Sequence, residues 1–398
     1  MEVRKDFPML KKDLIYFDNS ATTFKPYSVI EAVVDYYSNY TANAHRGDYD
    51  ISLKVDDLLE GTREKVRSFI KASSFKEIIF TSGTTASFNM IVNDFFKYYL
   101  KSKDEILITK SEHASLVLPW FLLEEKIGCK VKYIPLDEDL KVTLDNVKKV
   151  IGKNTKVISL SYLTNVIGDI RPIKEITEYA HKRGILVVVD GAQAVPHLPI
   201  DVQSLDIDFL TFSAHKMLGP TGVGVLYGKE KWLKQIKPSI VGGGMNDDFT
   251  SLKEVKFKDL PHCLEAGTPN IAGILGFGKA IDYLNIIGME NVFKHDQMLK
   301  RYALEKLSKL KNIKIYNPKT ETGIITFNVT GIFSQDTAIY LNKNKVCLRA
   351  GAHCARMLSE DLNVTSTCRI SFYLYNTKEE IDKLASLLSE EDILKKSL

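Results

Sequence analysis

TFSAHKMLGPTGVGVLYG, residues 211–228, decides the fold: a β-prone run ends on Ser213, His215 and Lys216, then turns through glycines into a second β-prone run. A lysine held at a sheet edge beside hydroxyl and imidazole donors suits a Schiff base to an aldehyde cofactor whose phosphate those donors bind. The competing reading is a solvated lysine, with Gly219, Gly222 and Gly224 serving a hairpin. The stretch alone leaves the two balanced. It is not the dinucleotide fingerprint, because a strand and not a helix follows the glycines.

The same alternation recurs upstream. Short β-rich runs at 77–83, 105–110, 130–136, 156–163 and 184–191 are separated by amphipathic segments such as PIKEITEYAHKRG, which ends on Gly184. This order predicts an α/β fold with a mostly parallel sheet covered on both faces. After about residue 285 the pattern changes to a long helix, then KIYNP, GIITFNVTG, a short helix, KVCLRAG, CRISFYLYN as a strand, and a terminal helix. The expected organisation is a large α/β domain over 16–284 and a smaller α+β domain over 285–398, with residues 1–15 packed on the smaller one.

Bulk properties exclude several classes. The 398 residues are 44% hydrophobic and 26% charged, with a net charge of +4. That bias is too small to argue for nucleic acid or a membrane surface. The N-terminus has no sustained apolar region and the longest aliphatic run, ILVVV, is far short of a membrane span, so a cytoplasmic protein is expected. Five cysteines, at 129, 263, 347, 354 and 368, are scattered and odd in number. At least one free thiol follows, rather than a disulfide framework.

Other strand ends carry candidate chemistry. Asp190 closes the buried run VVVD, where open α/β sheets bind ligands, and can pair with a protonated pyridine nitrogen; a helix cap is the plainer alternative. In FTSGTT, Thr84 and Thr85 begin a helix where hydroxyls and backbone N–H groups can take a phosphate, or simply cap it. His113 in SEHAS can stack on a flat ring or be structural. Asn165 in TNVIGDI can donate at the same edge. Singly these are weak; together they place phosphate donors, a ring partner, a pyridinium partner and a lysine at successive strand ends, which is what pyridoxal phosphate needs. One further stretch, RAGAHCARM at 349–357, leaves Cys354 as nucleophile, metal ligand or small apolar residue. A zinc site from Cys347, His353, Cys354 and Cys368 lacks the close paired spacing of common zinc motifs, and no metal is expected.

The ordered set YFDNSATT, NAHRGDYDIS, FTSGTT, SEHAS, TNVIGDI, VDGAQAVPH, SAHKMLGPTGVG, VGGGM, EAGTPN, RAGAHCA and CRISFYLYNT resembles the class V aminotransferase group of fold-type I pyridoxal-phosphate enzymes. Within that group it resembles the group II cysteine desulfurases of the SUF sulfur-mobilisation system. The resemblance implies a Schiff base on Lys216, Asp190 on the pyridine nitrogen, Gln193 on the ring hydroxyl and His113 over the ring. It implies Thr84, Thr85, Ser213 and His215 around the phosphate, with Thr268 reaching it from a partner subunit, so that a homodimer shares its active sites. Asn165 and Arg369 would grip the substrate carboxylate, with Arg349 beside the substrate and His45 and Arg46 lining the entrance of the neighbouring site. The activity implied is conversion of L-cysteine to L-alanine, with Lys216 as base and Cys354 as the nucleophile that leaves with the sulfur as a persulfide.

His353, Arg349 or Arg356 are expected to favour its thiolate. Only fourteen residues separate Cys354 from Arg369, a tether too short to swing far, so a separate sulfur-acceptor protein is expected to enter, serving iron–sulfur cluster assembly or related traffic. Ala352 departs from the pattern, since such enzymes often carry a second histidine there. Selenocysteine lyase or another class V reaction, and a non-catalytic scaffold, are the rival readings.

Overall fold

The chain, described by a computed structural model over residues 3–44 and 47–390, is built around two larger sheets, with two small two-stranded ones beside them. The larger has seven strands in the order Ile78–Thr81, Gly224–Gly228, Phe209–Ser213, Leu186–Asp190, Thr155–Ser161, Glu105–Ile108, Lys130–Tyr133. All run parallel except Gly224–Gly228, which is antiparallel to both neighbours. Leu186–Asp190 shows why the sheet forms: its β-branched run is buried along its whole length. Each fully buried Val there contributes about 1.5–3 kcal/mol. Alternate residues feed opposite faces. Val187 and Val189 join the cluster that holds Ile158 and Phe212, whereas Val188 joins the cluster of Val157, Phe209 and Trp120. The connecting helix Ile173–His181 follows Pro172, and Gly184, at φ 68°, turns the chain back toward the next strand.

Because the strands are parallel, their C-terminal ends lie on one edge. Thr81, Ile108, Ser161, Asp190 and Ser213 all end there. The single antiparallel strand reaches the same edge because residue 224 is glycine: a Cβ there would lie 2.4 Å from the Gly83 Cα.

The smaller sheet is antiparallel, in the order Ile313–Ile315, Ile324–Val329, Thr367–Ser371, Arg349–Gly351. Its core of Phe327, Ile370, Phe372 and Leu384 is joined by Leu299, Ala303 and Leu307 of the helix Met289–Leu307. Two sequence expectations change here. KVCLRAG is not one strand but two: Val346–Cys347 pairs with Ile15–Tyr16, and Arg349–Gly351 pairs with Thr367–Ser371. CRISFYLYN leaves the sheet after Ser371, because the Asn376 side chain accepts the Tyr373 N–H at 2.9 Å and folds 373–376 into a turn. The leading segment touches both regions. Phe7 packs on Tyr283 and Tyr375, while Arg4 pairs with Glu380 at 2.7 Å. Among the described residues no single helix is long and apolar enough to cross a membrane.

Candidate active site

At the shared edge of the large sheet, facing the small one, lies a cavity of about 240 Å³. Strand ends from the large sheet supply one wall. Lys216 sits in a single 3-10 turn, Ala214–Lys216, directly after its strand. Burial lowers its amine below the ordinary lysine range, opposed by the charge of Asp190. The peptide that carries it is tightly held: the His215 carbonyl accepts Thr23 N–H at 3.1 Å, the Thr22 hydroxyl at 3.0 Å and Lys25 Nζ at 2.9 Å. Asp190 accepts the Ala192 N–H at 2.8 Å, and burial raises its carboxyl to about 6.

His113 caps the helix Ala114–Ile127 by accepting the Ser115 N–H on Nδ1 at 3.1 Å, which assigns the ring proton to Nε2. Burial, then the charges of Lys216 and Arg369, lower it to about 4, so it faces the cavity as a neutral ring. His215 is likewise lowered to about 4 by burial, and therefore serves an anion as an N–H donor. Around the start of the helix Thr84–Met90, the Ser213 hydroxyl accepts the Thr84 N–H at 2.8 Å and shares a proton with the Thr84 hydroxyl at 2.9 Å. Thr85 pairs with Ser115 at 2.7 Å. Sequence reasoning missed Ser115, whose signal was the second serine of SEHAS.

These residues fit pyridoxal phosphate on an observation independent of any motif. Gln193 donates Nε2 to the Ser20 carbonyl at 2.7 Å, which leaves its buried Oε1 in the cavity wall with no partner among the described residues. A ring hydroxyl can satisfy such an acceptor. Asp190 offers a carboxylate to a ring N–H, and the hydroxyls of Thr84, Thr85, Ser115 and Ser213 gather where a phosphate would lie.

The opposite wall comes from the small sheet. His353 and Cys354 both adopt left-handed backbone, φ 51° and 57°, a costly conformation for residues with a Cβ. Two hydrogen bonds to the large-sheet side hold the turn: Asn165 Nδ2 donates to the His353 carbonyl at 2.7 Å, and the Ala114 N–H to the Cys354 carbonyl at 2.7 Å. Cys354 is exposed and lines the cavity. The other four thiols are held protonated by burial, Cys129 at about 11 and Cys368 at about 12, with Cys347 and Cys263 also raised. Cys368 also points away, toward the Ser334 carbonyl in the small core. Among the described residues no cluster of three His, Cys, Asp or Glu could hold a metal.

The expectations that His353 and Arg356 favour the thiolate are corrected, and the other expected residues take these places. His353 cannot favour a thiolate through charge: burial and Arg369 lower it to about 3, and its Nε2 is engaged with the Thr367 hydroxyl at 2.9 Å. Arg356 is exposed and does not line the cavity, whose cations are Lys216, Arg349 and Arg369. Asn165 commits an amide N–H to the thiol turn, so it fastens Cys354 as well as facing the cavity. Thr268 lies apart from the cavity in its own chain, in a cleft with Asn43, Gly243 and Gly244. Ala352 faces a small apolar cleft with Val166 and Leu358, not the cavity. His45 and Arg46 fall outside the described residues.

A mostly parallel sheet with a lysine, a carboxylate and a hydroxyl cluster at its C-terminal edge, facing a small α+β unit, defines a fold-type I pyridoxal-phosphate enzyme. The chain belongs to the class-V aminotransferase family, whose model matches residues 15–384. It is 45% identical over 394 residues to a probable cysteine desulfurase of Halalkalibacterium halodurans, covering 98% of this chain and 97% of that one. Its structure resembles that of the Escherichia coli cysteine desulfurase CsdA with TM-score 0.93 at 34% identity, covering 99% and 98% of the two chains. It resembles apo cysteine desulfurase from Thermococcus onnurineus NA1 with TM-score 0.94 at 35% identity, covering 98% and 96%.

Proposed function

We propose that this chain is a pyridoxal-phosphate-dependent cysteine desulfurase that converts L-cysteine to L-alanine and carries the released sulfur on Cys354. One observation carries the reading: the exposed thiol shares a 240 Å³ cavity with Lys216 and with the buried guanidinium of Arg369. When bound, the cofactor supplies a ring that takes up the electron pair freed at the substrate Cα.

The chain supplies the rest. Arg369 has one Nη on the Asn165 carbonyl and a buried Nε without a partner among the described residues, leaving donors for the substrate carboxylate, a task suited to a planar guanidinium. Lys216, its amine made easier to deprotonate by burial, takes the Cα proton and returns it during alanine formation. The Cys354 thiolate attacks the substrate sulfur; the new S–S bond leaves a persulfide on Cys354, and the three-carbon fragment leaves with the electron pair of its C–S bond and picks up a proton as alanine. Arg349 and Arg369 are the guanidiniums that line the cavity with Cys354.

Finer features belong to the same reading. Thr268 completes the phosphate site of a partner subunit, and the enzyme is a cytoplasmic homodimer with a large domain over 16–284 and a small one over 285–398. The turn of Cys354 is pinned at both carbonyls, so a sulfur-acceptor protein comes to the thiol, with iron–sulfur assembly as its destination. The test is to load the purified protein with pyridoxal phosphate, add L-cysteine, and follow alanine and Cys354 persulfide. The proposal predicts stoichiometric persulfide before reductant is added; alanine formed at full rate by Cys354→Ala would sink it.

A further inference from the structure

The register of the small sheet sets Arg349 directly opposite Arg369. Like charges directly opposed across two strands are destabilising, and the two differ in escape: the Arg369 side chain is 3% exposed and that of Arg349 45%. An anion reaches them from far along the chain. Asp18 lies beside this sheet through its bridge to Ser371. Its Oδ1 accepts from Arg349 Nε and from Arg369 Nη2, both at 3.2 Å, and its Oδ2 accepts from Arg349 Nε at 3.1 Å and forms an ion pair with Arg349 Nη2 at 3.0 Å. Two cations on one carboxylate leave one net positive charge, and Arg369 Nε has no partner among the described residues.

We propose that Asp18 is a positioning residue for substrate capture, drawing both guanidiniums onto one carboxylate so that they stand preset, with one unbalanced charge, for a single substrate carboxylate. This rests on the reading of Arg369 as the carboxylate-binding group. Without Asp18, Arg349 turns to water, and Arg369 stays buried with one carbonyl partner. The substrate must then organise the pair itself. That cost falls on binding and raises KM, while bound substrate reacts at its usual rate. A carboxylate that merely competed with substrate for the arginines would give the opposite sign.

The experiment uses the full-length, cofactor-loaded enzyme. Asp18→Asn is expected to raise KM for L-cysteine about tenfold or more, the range set by hydrogen bonds to charged groups, with kcat held within about threefold. Calorimetric titration with propionate, a carboxylate that cannot react, should show affinity falling by a similar factor, with the cofactor absorbance unchanged. Asp18→Glu, which keeps the charge, should recover part of the loss; recovery no better than Asn would assign the defect to packing and overturn the role. An unchanged or lowered KM in Asp18→Asn overturns it outright. Should that variant not fold, Arg349→Lys keeps the charge but cannot fork onto Asp18, and the same rise in KM is expected, an unchanged KM again refuting the proposal. Arg369→Lys separates the two levels, because unaltered propionate binding there would remove the carboxylate reading itself.

Discussion

The two walls of the cavity are built on different principles. The cofactor wall stands on ends of parallel strands, its ionisable groups buried and shifted by that burial: Lys216 lowered, His113 and His215 at about 4, Asp190 at about 6. The thiol wall is a turn of strained backbone from the smaller sheet, with Cys354 exposed and two hydrogen bonds fixing it to the other side. The difference follows from what each must do. A resident cofactor is served by dry, pre-shaped groups, whereas a sulfur carrier must be reached from solvent, so its position has to come from backbone restraint instead of burial.

The contrast can be broken most decisively at Lys216. Lys216→Ala should lower alanine formation by up to about 10⁴-fold, the upper range for a positioned acid–base group, and abolish the absorbance of the covalently held cofactor. Cys354→Ala should cost about 10³-fold in sulfur release, about 4 kcal/mol of barrier at 1.36 kcal/mol per tenfold, yet leave that absorbance intact; a variant that lost both would show that the walls are not separable.

The two walls also differ in what pH does to them. The Asp190 carboxyl at about 6 lies above its ordinary 3.8, so its burial opposes folding at neutral pH. The associated stability is fully present below about pH 4 and is lost as pH rises through about 6. In cofactor-free protein, Asp190→Asn should therefore gain up to about 3 kcal/mol at pH 7, at 1.36 kcal/mol for each tenfold change in proton affinity, and nothing below pH 4. Denaturant unfolding at the two pH values reads this directly. No comparable gain is expected from any substitution at the exposed Cys354.

The smallest effects belong to the turn. Asn165→Ala removes one of its two anchors and should slow persulfide formation about tenfold through misplacement of the thiol, with cofactor binding retained. Cys354→Gly and Cys354→Ala both remove the sulfur, but at φ 57° glycine relieves a cost of about 1 kcal/mol. The glycine variant should unfold at higher denaturant than the alanine variant. Equal midpoints would mean that the turn is not strained.

The cofactor wall is the more legible in sequence. Asp190 closes a β-prone run, Thr84, His113, Asn165 and Lys216 each follow one within a few residues, and parallel strands bring those ends to one edge. Glycine at 224 reads only as a turn residue, although its task is close approach to Gly83. The thiol wall resists such reading. Histidine beside cysteine suggests a nearby cation, but burial makes His353 neutral. Asn165 reads as a donor to substrate but also secures the turn. Asp18, 331 positions before Arg349, carries no local signal of its partnership.

By itself the sequence determined the alternation of strands and helices, the change of pattern after about residue 285, and the identity of the groups that end each strand, because periodicity and strand-end position are local properties. Tertiary structure alone decided which groups are charged, which face one another and what holds Cys354 in place. Burial, cross-strand register and long-range hydrogen bonds set those, and none is a property of neighbouring residues.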